Sequence, residues 1–147
     1  MAQILLLNGP NLNLLGEREP AVYGQTSLKA LETTLQERAT ALGHELQCLQ
    51  SNHEGILIDR IQAARNDGTA FILFNPAGHT HSSVALRDAL AATQVPFIEI
   101  HISNIHAREP FRQRSFFSDL AVGTLTGLGT QGYELALQAA DHYLNTH

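Results

Sequence analysis

The stretch QILLLNGPNLNLLGEREPAVYG, residues 3–24, decides how the rest of the chain is read. It opens on a short apolar run closed by Asn-Gly-Pro, the pattern of a strand buried on both faces. The remainder of the stretch is bent and polar: glycines at 9, 16 and 24, prolines at 10 and 20, then Asn8, Asn11, Arg18 and Tyr23. Strand-then-polar-loop is how an open parallel sheet presents a binding rim, because ligands there sit beyond the carboxyl ends of the strands. The apolar run has no basic residues before it and is too short to span a bilayer, so it reads as neither signal peptide nor membrane helix.

The pattern repeats outward from this stretch. Residues 27–43, SLKALETTLQERATALG, set Leu28, Leu31, Leu35, Ala39 and Leu42 on one helical face, with Thr26 or Ser27 as cap and Gly43 as stop. Strands are expected at 44–50, 69–75, 96–101 and 120–127, and helices at 54–68, 82–93 and 131–145. Five strands interleaved with helices predict an α/β fold with a parallel sheet covered on both faces, since a parallel crossover needs a helix to return the chain. With 147 residues, 44% of them hydrophobic, residues 1–147 are expected to form one domain. A net charge of -5 argues against nucleic acid or an anionic membrane as partner. The lone cysteine, Cys48, excludes an internal disulfide and suits a cytoplasmic protein; inside its strand it reads as a small core side chain.

Sorting polar residues by strand end gives three clusters. The first strand leads to Asn8, Asn11, Arg18 and Tyr23; the third ends at Asn75, followed by His79 and His81; the fourth ends at Glu99 and His101, followed by Ser103, His106, Arg108, Arg112 and Arg114. The irregular segment 101–117 is long for a compact domain, which marks it as functional or disordered. Turn-making alone explains any one of these asparagines, but convergence of three clusters on one rim points to a site.

Two other readings compete. GLGTQG, residues 127–132, matches a dinucleotide-binding pattern but lies next to the last helix, with no acidic strand end about twenty residues on; flexible glycines explain it. His79, His81, His101, His106 and Glu99 together invite a metal reading, yet they have neither helical i, i+4 spacing nor a cysteine partner, so no metal is expected. His44, His53, His142 and His147 read as surface or boundary residues. The only lysine, Lys29, falls in the first helix, away from the rim, which leaves no Schiff-base candidate.

Proton transfer remains. His101 is suited to acid or base work near neutrality. Tyr23 is a candidate partner whose phenol, with a free pKa near 10, needs about 4 kcal/mol of help to ionise near pH 7. A cation beside the phenolate supplies it: Arg18 lies five residues earlier in the same glycine-bounded loop, and Arg108, Arg112 and Arg114 are further sources. An arginine-assisted tyrosine base with a histidine acid suits removal of a proton next to a carbonyl and expulsion of a hydroxyl. The further arginines suit a carboxylate substrate. A non-catalytic module binding an anionic small molecule at the same rim explains the arginines, but not a tyrosine and a histidine on separate loops.

The motifs NGPNLNLLGEREPAVYG, FNPAGHTHSSVALRDAL and EIHISNIHAREPFRQRS, in this order, resemble the type II 3-dehydroquinate dehydratases over nearly the whole chain. The resemblance implies a flavodoxin-like fold and dehydration of 3-dehydroquinate to 3-dehydroshikimate by anti elimination through an enolate, without metal or cofactor. It implies Tyr23 as base, Arg18 as its activator, His101 as acid, Glu99 orienting His101, and Asn11 holding a water against the enolate oxygen. Asn75, His81, the Ile102 and Ser103 amides and Arg112 would bind substrate, and Asp88 would reach in from a neighbouring subunit of a homododecamer of four trimers. Asp88 lies seven residues beyond His81 on a helix running away from the rim, roughly 10 Å from its own pocket's edge. The loop bounded by Gly16 and Gly24 is expected to close over the substrate and exclude water.

Overall fold

The computed structural model describes residues 1–17 and 26–147. Among them, five strands form a single sheet: β1 (Gln3–Asn8), β2 (Glu45–Gln50), β3 (Thr69–Asn75), β4 (Phe97–His101) and β5 (Gly123–Thr126). Every pairing is parallel and the order is β2-β1-β3-β4-β5, which is the flavodoxin-like arrangement. The helices are α1 (Leu28–Ala41), α2 (Glu54–Ala64), α3 (Val84–Thr93) and α4 (Gln131–Thr146).

Alternation along the central strands builds two cores. Ile4 and Leu6 of β1, Phe71 and Leu73 of β3, and Ile98 and Ile100 of β4 face one side, where α1 and α4 supply Leu31, Leu35, Tyr133 and Leu137. Leu5, Leu7, Ile72, Phe74 and Phe97 face the other, against Leu57 and Ile61 of α2 and Leu86 and Leu90 of α3. Burial of each such side chain stabilises the fold by about 1.5–3 kcal/mol, so Leu35→Ala should cost about 2–5 kcal/mol once its cavity is included. Helix α1 begins where Ser27 Oγ accepts from the Ala30 amide (3.2 Å) and ends at Gly43, whose φ of +84° favours glycine.

Two local expectations change. The last strand begins at Gly123 rather than Leu120, because Leu120 and Ala121 turn inward onto the α2–α3 core. His44 is buried rather than superficial: its Nε2–H donates to Asp141 of α4 (2.7 Å) and its Nδ1 accepts from the Ala2 amide (3.2 Å), tying the start of β1 to the last helix.

The chain turns to opposite sides of β1 when it adds β2 and then β3, so the switch point lies between the ends of β1 and β3. There Asn8 pairs in register with Asn75. The Gly9 amide donates to the Asn75 carbonyl (2.8 Å), and a Cβ on Gly9 would collide with the Pro76 carbonyl oxygen. Only glycine lets the two strand ends approach this closely.

Candidate active site

A cavity of about 170 Å³ opens at this switch point, lined from β1's loop by Pro10, Asn11 and Leu12, and from β3's end by Asn75, Ala77, Gly78 and His81. The end of β4 completes it with His101, Ile102, Ser103, Ile105, Arg108 and Arg112. Three strand ends therefore converge as their polarity suggested. Of the expected residues, Asn11, Asn75, His81, His101, Ile102, Ser103 and Arg112 line this one cavity. Glu99 lies beneath it, bonded to His101, whereas Asp88 is exposed on α3 and does not line it. Tyr23 and Arg18 lie outside the described residues.

Glu99 occupies a β4 position that alternation turns toward the α2–α3 core, and it is wholly buried. Burial alone would lift its pKa, but bonds from His101, Ser115 and Ser118 outweigh that and hold the carboxyl below its ordinary value. His101 Nε2–H donates to Oε2, Ser115 Oγ–H donates to the same oxygen (2.6 Å), and Ser118 Oγ–H donates to Oε1 (2.6 Å). An ionised carboxylate accepts only, so the ring's proton at this contact sits on Nε2, and Nδ1 is the nitrogen left for exchange.

His81 is set differently. Its Nδ1–H donates to the Arg114 carbonyl (2.8 Å), so Nε2 is the acceptor that remains. Burial lowers its pKa, the Arg114 bond opposes this, and the charges of His101 and Arg112 lower it further. The ring is therefore a neutral acceptor at neutral pH.

The cationic wall comes from the irregular segment, which folds into two short 3-10 turns, Ile105–Ala107 and Pro110–Arg112. Arg112 Nε donates to Glu109 Oε2 (3.0 Å), and Arg108 Nη1 donates to Ser103 Oγ (3.3 Å). Arg108 thus belongs to the cavity wall, a position that its place in a run of arginines did not single out. On β1's side, Asn11 takes a left-handed conformation (φ +70°), one that asparagine tolerates better than most residues, and its amide donates to Asn52 Oδ1 (2.9 Å).

The glycines of residues 127–132 have structural work here. The Gly127 and Gly129 amides donate to the His101 and Ile102 carbonyls (both 3.1 Å), with φ of +85° and +62°. They pin the loop after β4. Among the described residues, no group of three or more His, Cys, Asp or Glu side chains is placed to share a metal ion, and no helix is long and apolar enough to cross a membrane. Cys48, half-buried in β2, has its thiol pushed up to about 12 by burial and by nearby Glu32, which makes it a poor nucleophile.

Ser115, Ser118 and Tyr133 also serve this region, and sequence reading gave them no role; Asn8, which serves it too, was placed in the first rim cluster as a polar residue closing an apolar strand. The serines lie sixteen and nineteen residues beyond Glu99 in an aperiodic segment, and Tyr133 looks like any core aromatic of an amphipathic helix.

The family model described as dehydroquinase class II matches residues 2–141. The chain is 63% identical over 140 residues to a 3-dehydroquinate dehydratase of Stenotrophomonas maltophilia, covering 95% of each chain. It is 61% identical to one of Stutzerimonas stutzeri over 140 residues, again 95% of each. It superposes on the crystal structure of the type II dehydroquinase from Butyrivibrio crossotus with a TM-score of 0.93 at 42% identity, covering 95% of this chain and 97% of that one. For the type II dehydroquinase from Propionibacterium acnes the TM-score is 0.92 at 44% identity, with 97% of each chain covered.

Proposed function

The chain belongs to the class II dehydroquinase family, and we propose that the cavity at the ends of β1, β3 and β4 is where it dehydrates 3-dehydroquinate. The observation that carries this reading is the buried carboxylate–imidazole pair of Glu99 and His101 under a wall bearing Arg108 and Arg112. It offers proton transfer and anion binding side by side.

In the proposed mechanism, Tyr23 as phenolate removes the proton on the carbon next to the substrate's carbonyl, and the C–H electron pair passes into the carbonyl to give an enolate. Arg18 stabilises the phenolate. Asn11, on the cavity wall, holds a water against the enolate oxygen. The enolate then collapses to an enone as the bond to the β-hydroxyl breaks, and His101 gives its Nδ1 proton to the departing oxygen, which leaves as water. Glu99, fixed by two serines, keeps the ring in place during both steps. Arg112 binds the carboxylate. His81 Nε2 accepts from a substrate hydroxyl, and Asn75 with the Ile102 and Ser103 amides binds the remaining oxygens. No metal or cofactor takes part in this scheme.

Asp88, exposed on α3, is proposed to serve a neighbouring subunit's cavity, within a trimer and a dodecamer of four trimers. A head-to-tail ring of three closes such contacts. The site, in a soluble cytoplasmic protein, then depends on assembly. Asp88→Ala mixed with Tyr23→Phe should regain activity in hybrid trimers, and light scattering should show a species of twelve chains; a fully active monomer would remove the shared site.

The whole reading is tested by measuring ultraviolet absorbance as 3-dehydroquinate is added. The protein should form the enone, and Tyr23→Phe should do so at least about a hundredfold more slowly, the scale for loss of a positioned base. Near-normal turnover in that variant would refute the assignment of the base.

A further inference from the structure

Beneath the cavity, three polar side chains from three elements meet in a setting otherwise apolar. Tyr133, in the first turn of α4, is wholly buried among the residues that cover the α1–α4 face of the sheet. Its hydroxyl donates to Asn8 Oδ1 (2.7 Å) and accepts from Asn75 Nδ2 (2.8 Å). The opposite side of the Asn75 amide is held as well, because the Ala77 amide donates to Asn75 Oδ1 (3.1 Å).

Proton counting makes this arrangement directional. A tyrosine hydroxyl has one proton, and here Asn8 receives it, so toward Asn75 the oxygen can only accept. Turning the Asn75 amide over would set its NH2 against the Ala77 N–H, donor against donor, and its carbonyl against an oxygen with no proton left to give. One orientation therefore satisfies both contacts. With Oδ1 engaged by Ala77 and one Nδ2–H by Tyr133, the second Nδ2–H is what remains for the cavity that Asn75 lines. Burial also raises the Tyr133 pKa far above neutrality, so the hydroxyl stays protonated and the direction of the relay does not change over the working pH range.

The arrangement is costly as a purely structural device. A phenylalanine at 133 would fill the same space without a buried hydroxyl, and an apolar residue at 8 would avoid the buried Asn8 Nδ2, which has no partner among the described residues.

We propose that Tyr133, with Asn8 behind it, is a positioning residue: the relay Asn75 Nδ2–H to Tyr133 to Asn8 fixes the Asn75 amide so that the cavity wall presents a hydrogen-bond donor to a substrate oxygen. This rests on the reading of the cavity as the dehydratase site. Tyr133 touches no substrate and acts only through Asn75.

The test is steady-state kinetics on the full-length protein with 3-dehydroquinate. Tyr133→Phe should raise KM about tenfold, the scale of one mis-set buried hydrogen bond, while kcat changes less than about threefold. In an Asn75→Ala background the same substitution should raise KM no further. An unchanged KM in the single variant, or a full additional rise in the double variant, overturns the proposal. If Tyr133→Phe fails to fold, Asn8→Ala takes its place. It leaves the tyrosine but removes the acceptor that fixes its proton, so KM should rise about threefold and, again, not at all beside Asn75→Ala. A wild-type protein inactive on 3-dehydroquinate would sink the functional reading, and the relay would then be judged by a crystal structure of the variant. An Asn75 side chain rotated or displaced from its wild-type position upholds the relay, and one left in place overturns it.

Discussion

The ends of β3 and β4 lie side by side in the sheet, and each carries a polar residue to the same cavity, yet they are built from opposite materials. At β4 the support is charged: a fully buried carboxylate held by an imidazole and two serine hydroxyls. At β3 the support is neutral: an asparagine amide held by a backbone N–H, a tyrosine and a second asparagine. A buried charge is worth its desolvation where a proton must move, and fixed neutral dipoles suffice where a substrate must only be located. On this account the β4 end governs turnover and the β3 end governs affinity.

Substitution at each end should separate the two. His101→Ala should lower kcat at least about a hundredfold with a smaller change in KM, and Asn75→Ala should do the reverse, raising KM about tenfold. Stopped or steady-state enone formation reads both, and matching kcat and KM effects at the two ends would erase the distinction. Glu99→Gln removes the charge but keeps the shape, and should lower kcat by about one to two orders of magnitude, the range for a lost charge-assisted bond.

That substitution also has a stability signature. Because the folded protein holds Glu99 below its ordinary value of 4.5, the folded state takes up this proton less readily than the unfolded chain. The resulting stabilisation is complete above the unfolded value and is lost as pH falls below it toward the folded one. Melting temperatures of the wild type should therefore drop more steeply below about pH 4.5 than those of Glu99→Gln. Parallel curves would mean that Glu99 is not held ionised. Ser118→Ala removes one of the carboxylate's bonds and should lower kcat by about three- to tenfold. The smallest effect is expected at Cys48, whose raised thiol pKa should leave it nearly inert to iodoacetamide at pH 8, with activity unchanged in the treated protein.

The same contrast explains what was legible in the sequence. Short apolar runs located β1, β3 and β4, and period-3.6 patterning all four helices, within a few residues, since burial on two faces leaves a plain signal. Residues that end strands, such as Asn75 and His101, could be placed at the rim because topology alone puts them there. Asn11, His81, Ser103 and Arg112 were sorted to the rim with the strand ends they follow, whereas Ile102 and the individual roles required the family motifs, since the arrival of these residues in one cavity depends on turns with no periodicity. The supporting groups were hidden. Ser115 and Ser118 reach Glu99 from a coil, and Tyr133 reaches Asn75 across 58 residues of chain, so nothing local marks either contact. His44 was misjudged for the same reason, its partner Asp141 lying 97 residues away.

The division of labour at His101 is open to one direct measurement. In deuterium oxide, with His101→Ala and 3-dehydroquinate, the account predicts that deuterium still enters the carbon next to the carbonyl, because the tyrosine base and enolate-binding groups remain, while enone formation falls at least about a hundredfold. Enone formation near the wild-type rate, or loss of deuterium exchange while elimination continues, would contradict the assignment of His101 as the acid that expels the hydroxyl.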